Sequence, residues 1–152
     1  MADALSHLDA HYRGMPPVRA LQVAIDGFDG TRLRLSAPLS VNVNDKGCAF
    51  GGSLASLMTL AGWGRVWLGL SQAGLEADIF VADSRIRYLA PLYDDLHAQA
   101  TFAPDADWAA FEAALRTRGR GRVELVAEVP LPDGMPAATL EARFVAIARR
   151  DA

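Results

Sequence analysis

Between Asn42 and Trp63 the chain reads NVNDKGCAFGGSLASLMTLAGW, a polar, glycine-bearing turn that runs directly into an apolar segment of helical length. Such a junction can act on a carbonyl oxygen. Gly51 and Gly52 carry no side chain, so a ligand can approach the main chain closely, and the first amides of the following helix have no partner within it. Those N–H groups favour an atom that gains negative charge. Asn44 can orient a water or a carbonyl oxygen through its side-chain amide, and Asp45 and Asp83 are carboxylates able to activate water. Ser53, in the first turn of the helix, can contact a ligand or cap the helix. Each also has a plain structural use: the glycines permit a tight helix entry, Asn44 and Asp45 bond their own turn, and Asp83 is an edge-strand charge.

Other residues suggest chemistry less strongly. Arg116, Arg118, Arg120 and Arg122 alternate with Thr117, Gly119 and Gly121. Such a row can meet phosphates, or simply be a solvated basic turn entering a strand. Its Gly-x-Gly is no dinucleotide fingerprint, since the third glycine and the following helix are missing. His7 and His11 stand one helical turn apart, but a metal needs three or four donors, so no metal and no cofactor are expected. Trp63, Trp67 and Trp108, with Phe50 and Tyr88, are candidates for a pocket wall or for plain core.

The whole chain bounds these readings. Its 152 residues suit one domain able to bury a single core, and the net charge of -3 argues against a nucleic-acid or anionic-membrane partner. Cys48 is the only cysteine, so no internal disulfide can form, and no basic start followed by an apolar run marks a secretory signal. A cytoplasmic location is expected. Ser53 to Leu70 is nearly all apolar, yet Arg65 and three glycines interrupt it, and strand-like segments flank it. A helix apolar on every side, in such company, belongs in the middle of a protein.

The elements that must position the junction follow from patterning. Ala2 to about Arg13 predicts an amphipathic helix stopped by Gly14 and the Pro16-Pro17 pair. Leu21, Val23 and Ile25 then alternate with Gln22 and Ala24 as a strand, Asp29-Gly30 supplies a turn, and Leu33 and Leu35 continue a hairpin. After the long helix, Asp78 to Leu89 predicts a strand with Ile86 and Tyr88 on one face and Arg85 and Arg87 on the other. His97 to Phe102 is a fourth strand, and Ala106 to Arg116 a short helix or an edge excursion. Strands from about Arg120 to Val129 and Thr139 to Ala148 close the chain. The order implies an α+β domain whose antiparallel sheet curls around one helix.

At this point the chain resembles the hot-dog fold thioesterases, in which a curved antiparallel sheet wraps one buried helix and subunits pair side by side. One branch, the phenylacetate-pathway acyl-CoA thioesterases, carries Asn, two residues, Gly, two residues, His-Gly-Gly and then an Asp along the helix. Here the pattern reads Asn44, Gly47, Phe50-Gly51-Gly52 and Thr59. GCAFGGSLASLMTLAGWG and DSRIRYLAPL more specifically resemble the YiiD C-terminal type of thioesterase domain. The resemblance implies a thioester on coenzyme A or an acyl carrier protein as substrate, no cofactor, and a homodimer or dimer of dimers with its pocket between subunits.

Together with the residues singled out above, the motif gives a candidate site: Asn44, Asp45, Gly51, Thr59 and Asp83 for the chemistry, with Phe50, Gly52, Ser53, Ser84 and Tyr88 against the substrate. Phe50 replaces the histidine of the better-known branch, and Thr59 replaces its carboxylate. A threonine hydroxyl is not ionised near neutral pH and needs an adjacent base to attack, though it can hold water or bond back to its own helix. Hydrolysis is therefore the first expectation, an acyl-thioester binding module without turnover the second, and a dehydratase, lacking a histidine at Phe50, the third.

Overall fold

The computed structural model describes residues 1–149. Helix α1 (Ala2–Arg13) and a short α2 (Pro16–Leu21) precede a hairpin of β1 (Ala24–Phe28) and β2 (Leu33–Ala37). The long α3 (Gly51–Gln72) follows, then β3 (Ala77–Tyr88), β4 (Leu96–Phe102), α4 (Trp108–Arg118), β5 (Arg120–Pro130) and β6 (Pro136–Ala148). The strands form one six-stranded antiparallel sheet in the order β1-β2-β4-β5-β6-β3, leaving β1 and β3 at its edges. This is the hot-dog fold, a curved sheet around one long central helix.

Strand alternation makes the sheet two-faced. In β5, Val123, Leu125, Ala127 and Val129 are buried while Arg122 and Glu124 are exposed. In β6, Leu140, Ala142, Phe144 and Ala146 point inward, and Glu141 is exposed between them. Helix α3 lies against this apolar face and buries Leu57, Met58, Ala61 and Leu68, each large side chain contributing about 1.5–3 kcal/mol. Its glycines let neighbours come close: a Cβ at Gly62 would meet the Phe144 ring at 2.9 Å, and one at Gly69 the Trp108 ring at 2.6 Å. On the α1 side, Leu8 and Tyr12 are buried, and the Tyr12 hydroxyl donates to the Leu60 carbonyl at 2.7 Å.

Local structure departs from the sequence expectations in several places. Pro16 and Pro17 end α1, but they also open α2, because the first helical positions need no N–H. Leu21 consequently closes a helix instead of opening a strand, and β1 begins at Ala24, after Gln22 in a left-handed conformation. Ala106 to Arg116 resolves as a helix beginning at Trp108, capped by the Asp107 carboxylate, which accepts from the Ala110 amide at 3.0 Å. The arginine row is broken by Gly119, which ends α4 at φ +71: Arg116 lies in the helix and bonds Glu112, while Arg120 and Arg122 begin β5. Helix α3 is not buried all round, since Gly52, Ser56, Thr59, Trp63 and Trp67 form a stripe that is at least partly exposed. No helix among the described residues is long and apolar enough to cross a membrane.

Candidate active site

The turn leading into α3 is rigid because its polar groups bond one another. Asn44 accepts from the Lys46 amide at 2.8 Å and the Cys48 amide at 3.1 Å, and its Nδ2 donates to the Cys48 sulfur at 3.2 Å. The Asn44 amide reaches the Cys48 carbonyl at 2.8 Å, and Gly47 supplies the φ of +83 that closes the loop. Asn44 thus spends its side-chain oxygen and one of its two Nδ2 hydrogens on the turn. Asn42, buried two residues earlier, fastens that turn to the body through Nδ2 bonds to the Leu21 and Pro38 carbonyls at 3.0 and 2.8 Å. Its own carbonyl accepts from the Phe50 amide at 2.8 Å. Sequence reasoning passed over Asn42, as nothing in Asn-Val-Asn marks which asparagine turns inward.

Phe50 caps α3 in an extended conformation (φ -65, ψ 132), and its side chain cannot accept a hydrogen bond. The Ser53 and Leu54 amides both reach the Phe50 carbonyl, at 3.0 and 3.1 Å. Among the described residues no acceptor meets the Gly51 or Gly52 amide. Gly52 is exposed and Gly51 half-buried, so this end of the helix is open. The Phe50 ring leans over Gly52, where an added Cβ would meet its Cε1 at 2.5 Å. Ser53 is buried within the first turn and lies past the capping position.

Strand β3 forms the opposite wall. Its register with β6 sets Ser84, Ile86 and Tyr88 opposite Ala142, Leu140 and Ala138, all inward-facing. Tyr88 closes over the helix start, its hydroxyl donating to the Gly51 carbonyl at 3.2 Å. At the far end of the strand, the Trp63 indole donates to the Ile79 carbonyl at 3.1 Å. The open stripe of α3 therefore runs beside β3, with Ser56, Thr59 and Ser84 as the hydroxyl groups along it. Thr59 donates back to the Ala55 carbonyl at 2.8 Å, which leaves its oxygen free to accept. Ser56 went unnoticed in the sequence, although its spacing between Gly52 and Thr59 is a helical face.

The carboxylates lie apart from this groove. Asp83 follows a bulge in β3 and pairs with Arg143 on the outer face of the sheet. The Arg143 guanidinium beside it holds the Asp83 carboxyl below the usual carboxylate range. Asp45 is exposed on the turn, its carboxylate 2.8 Å from the Lys46 ammonium. The structure thus brings together Phe50, Gly51, Gly52 and Tyr88 at the helix mouth, places Thr59 on the open stripe of α3 and Ser84 on the inner face of β3, and sets Asp83 on the other face of the sheet.

A curved six-stranded antiparallel sheet around one long central helix defines the hot-dog class. Residues 7–148 match the family described as "Putative thioesterase (yiiD_Cterm)", and the chain belongs to that family. A structure from Shewanella oneidensis, itself described as a thioesterase of that standing, is 32% identical, superposes with a TM-score of 0.85, and the match covers 97% of this chain and 99% of that one. A protein of unknown function from Chlorobaculum tepidum TLS is 25% identical with a TM-score of 0.88, covering 95% and 94% of the two chains. A thioesterase from Haemophilus influenzae, 15% identical with a TM-score of 0.66 and coverage of 93% and 90%, shares the fold.

Proposed function

We propose that the protein hydrolyses the thioester of an acyl group carried on coenzyme A or an acyl carrier protein. The observation that carries this reading is the open start of α3, where the Gly51 and Gly52 amides have no acceptor among the described residues. A thioester carbonyl set there gains negative charge as water attacks, and each donor at such a position is worth about a hundredfold to a thousandfold in rate. The carbon–sulfur bond then breaks and the thiolate leaves, needing little protonation because thiols are comparatively acidic.

In this reading Thr59 accepts a hydrogen bond from the attacking water, and the proton passes to a base outside the groove, for which Asp45, on the turn before α3 and beside Lys46, is the candidate. Asn44 holds the turn that aims the two glycine amides. One of its two Nδ2 hydrogens meets no acceptor among the described residues and can hold a water. Phe50, Tyr88 and Ser84 line the acyl groove, and Ser53 supports it from within. Asp83 serves less well, because a carboxyl held ionised by an arginine is a weak proton acceptor near neutral pH.

Two copies pair along β3 in this reading. That strand ends the sheet and exposes Phe80 and Val81, an unpaired apolar edge that a second copy can cover. The protein acts in the cytoplasm, where a lone buried thiol such as Cys48 persists. The decisive assay offers acyl-CoA and acyl-carrier-protein substrates of graded chain length and detects free thiol. No release above buffer from folded protein, for any member of either series, rejects turnover.

The absence of a carboxylate on the open stripe favours a second reading, a module that holds a thioester without cleaving it. It predicts that a non-hydrolysable acyl-CoA raises the melting temperature by mass action while no thiol appears.

A further inference from the structure

Arg65 is the one charged side chain that α3 carries into the interior, only 7% exposed. Its guanidinium lies between the rings of Phe28 and Phe102, 4.9 and 4.2 Å from their centroids, and its Nε donates to the Thr31 carbonyl at 2.9 Å. Nη1 is sealed from solvent and meets no acceptor. A buried charge is costly unless it is paired, and aromatic faces with one carbonyl compensate only part of that cost.

Of the nearby carboxylates, Asp29 acts on Arg65 through its charge without touching it, and its hydrogen bonds, like those of Glu112, go to other groups. Asp29 accepts from the Thr31 and Arg32 amides at 2.9 and 2.7 Å and stands 4.0 Å from Arg34. Glu112 is gripped by Arg116, whose Nη2 also donates to the Ala73 carbonyl. No ion pair within 4 Å involves Arg65 among the described residues. Arg65 nevertheless borders an open cavity of about 450 Å3 whose other lining residues are Gly69, Gln72, Ala73, Phe102, Trp108 and Glu112, the Glu112 carboxylate being neutralised by Arg116.

We propose that this cavity, between the second half of α3 and the start of α4, binds a small carboxylate with an apolar body, its oxygens on the free edge of Arg65 and its body against Phe102 and Trp108. Nε is spent on Thr31, so the remaining edge of the planar fork suits a carboxylate. Nη1 stays sealed within the fold, so the ligand oxygen meets Nη2, which makes no hydrogen bond among the described residues. Gly69 lets Trp108 lie close against α3, with the ring 2.6 Å from where a Cβ would stand. The cavity is separate from the helix mouth, since Arg65 lies about 21 Å along the helix from Gly51.

Calorimetric titration of the full chain with benzoate, hexanoate and inorganic phosphate tests the site. Saturable binding of benzoate or hexanoate is expected, weakened about tenfold to hundredfold in Arg65→Met. Gln72→Glu alters only the exposed rim and keeps the test open should Arg65→Met fail to fold; it is expected to weaken binding roughly twofold to fivefold. Unchanged affinity in every variant that folds, binding of phosphate alone, or no binding of any probe overturns the proposal. So does benzoate binding that Gly51→Val removes and Arg65→Met leaves intact, because the ligand then sits at the helix mouth.

Discussion

The Tyr88 hydroxyl donates to the Gly51 carbonyl at 3.2 Å, tying the last residue of β3 to the first residue of α3. One edge of the sheet thereby fixes where the helix start points. It also places an exposed phenol ring beside the two amides proposed to receive the substrate oxygen, and the Phe50 ring stands over the neighbouring Gly52.

Gly52→Ala tests that arrangement without endangering the fold. The added methyl meets the far end of the Phe50 ring, an exposed side chain that can swing aside. The melting temperature is expected to stay within a few degrees, since alanine is the better helix former by about 0.5–1 kcal/mol. Thiol release is expected to fall about tenfold or more, because the displaced ring and the new methyl crowd the donors. Wild-type kcat/KM in this variant argues against the helix mouth as the reacting centre.

Thr59→Val removes one hydroxyl from the groove and keeps the volume. Loss of a neutral hydrogen bond to water predicts a decrease in kcat of about tenfold, with stability nearly unchanged because the lost bond to Ala55 is local. Asp83→Asn on the outer face is expected to leave kcat within about twofold. If the asparagine variant is instead the inactive one, steady-state rates assign the base to Asp83 and remove Asp45 from the mechanism.

Tyr12 gives the fold an alkaline limit. Burial pushes its phenol well above the ordinary value of 10.0. The unfolded chain therefore ionises first: Tyr12's contribution is complete below about pH 10 and is lost as pH rises from there toward the folded value. Tyr12→Phe should cost about 0.5–1.5 kcal/mol at neutral pH through the bond to Leu60, and should flatten the alkaline fall in denaturation midpoint. Gly64→Ala, whose Cβ would overlap the Tyr12 hydroxyl and crowd Leu33, is expected to cost about 1–3 kcal/mol. An unchanged alkaline limb in Tyr12→Phe means another group sets the limit.

The edge of β3 predicts assembly. Phe80→Lys puts a charge on the exposed edge and is expected to halve the particle mass measured by light scattering, with the circular dichroism spectrum retained. A wild-type chain that already scatters as a single copy rejects pairing along this strand.

Much of this was legible in the chain itself. Period-two alternation in Val123 to Val129, and an apolar run with glycines from Gly51 onward, fix a two-faced sheet and an interior helix, because water enforces those patterns locally. The pair Gly51-Gly52 after a polar turn likewise marked the helix mouth. Only tertiary structure decided which polar groups remain available. Asn44 and Asn42 are alike in sequence, yet each spends its amide on different main-chain partners, and Asp83 and Ser84 are neighbours that a bulge and β-strand alternation send to opposite faces. Arg65 read as a break in a hydrophobic run and proved to be a buried cation between two rings drawn from distant strands. Such choices depend on contacts between residues far apart in the chain, and no local periodicity encodes them.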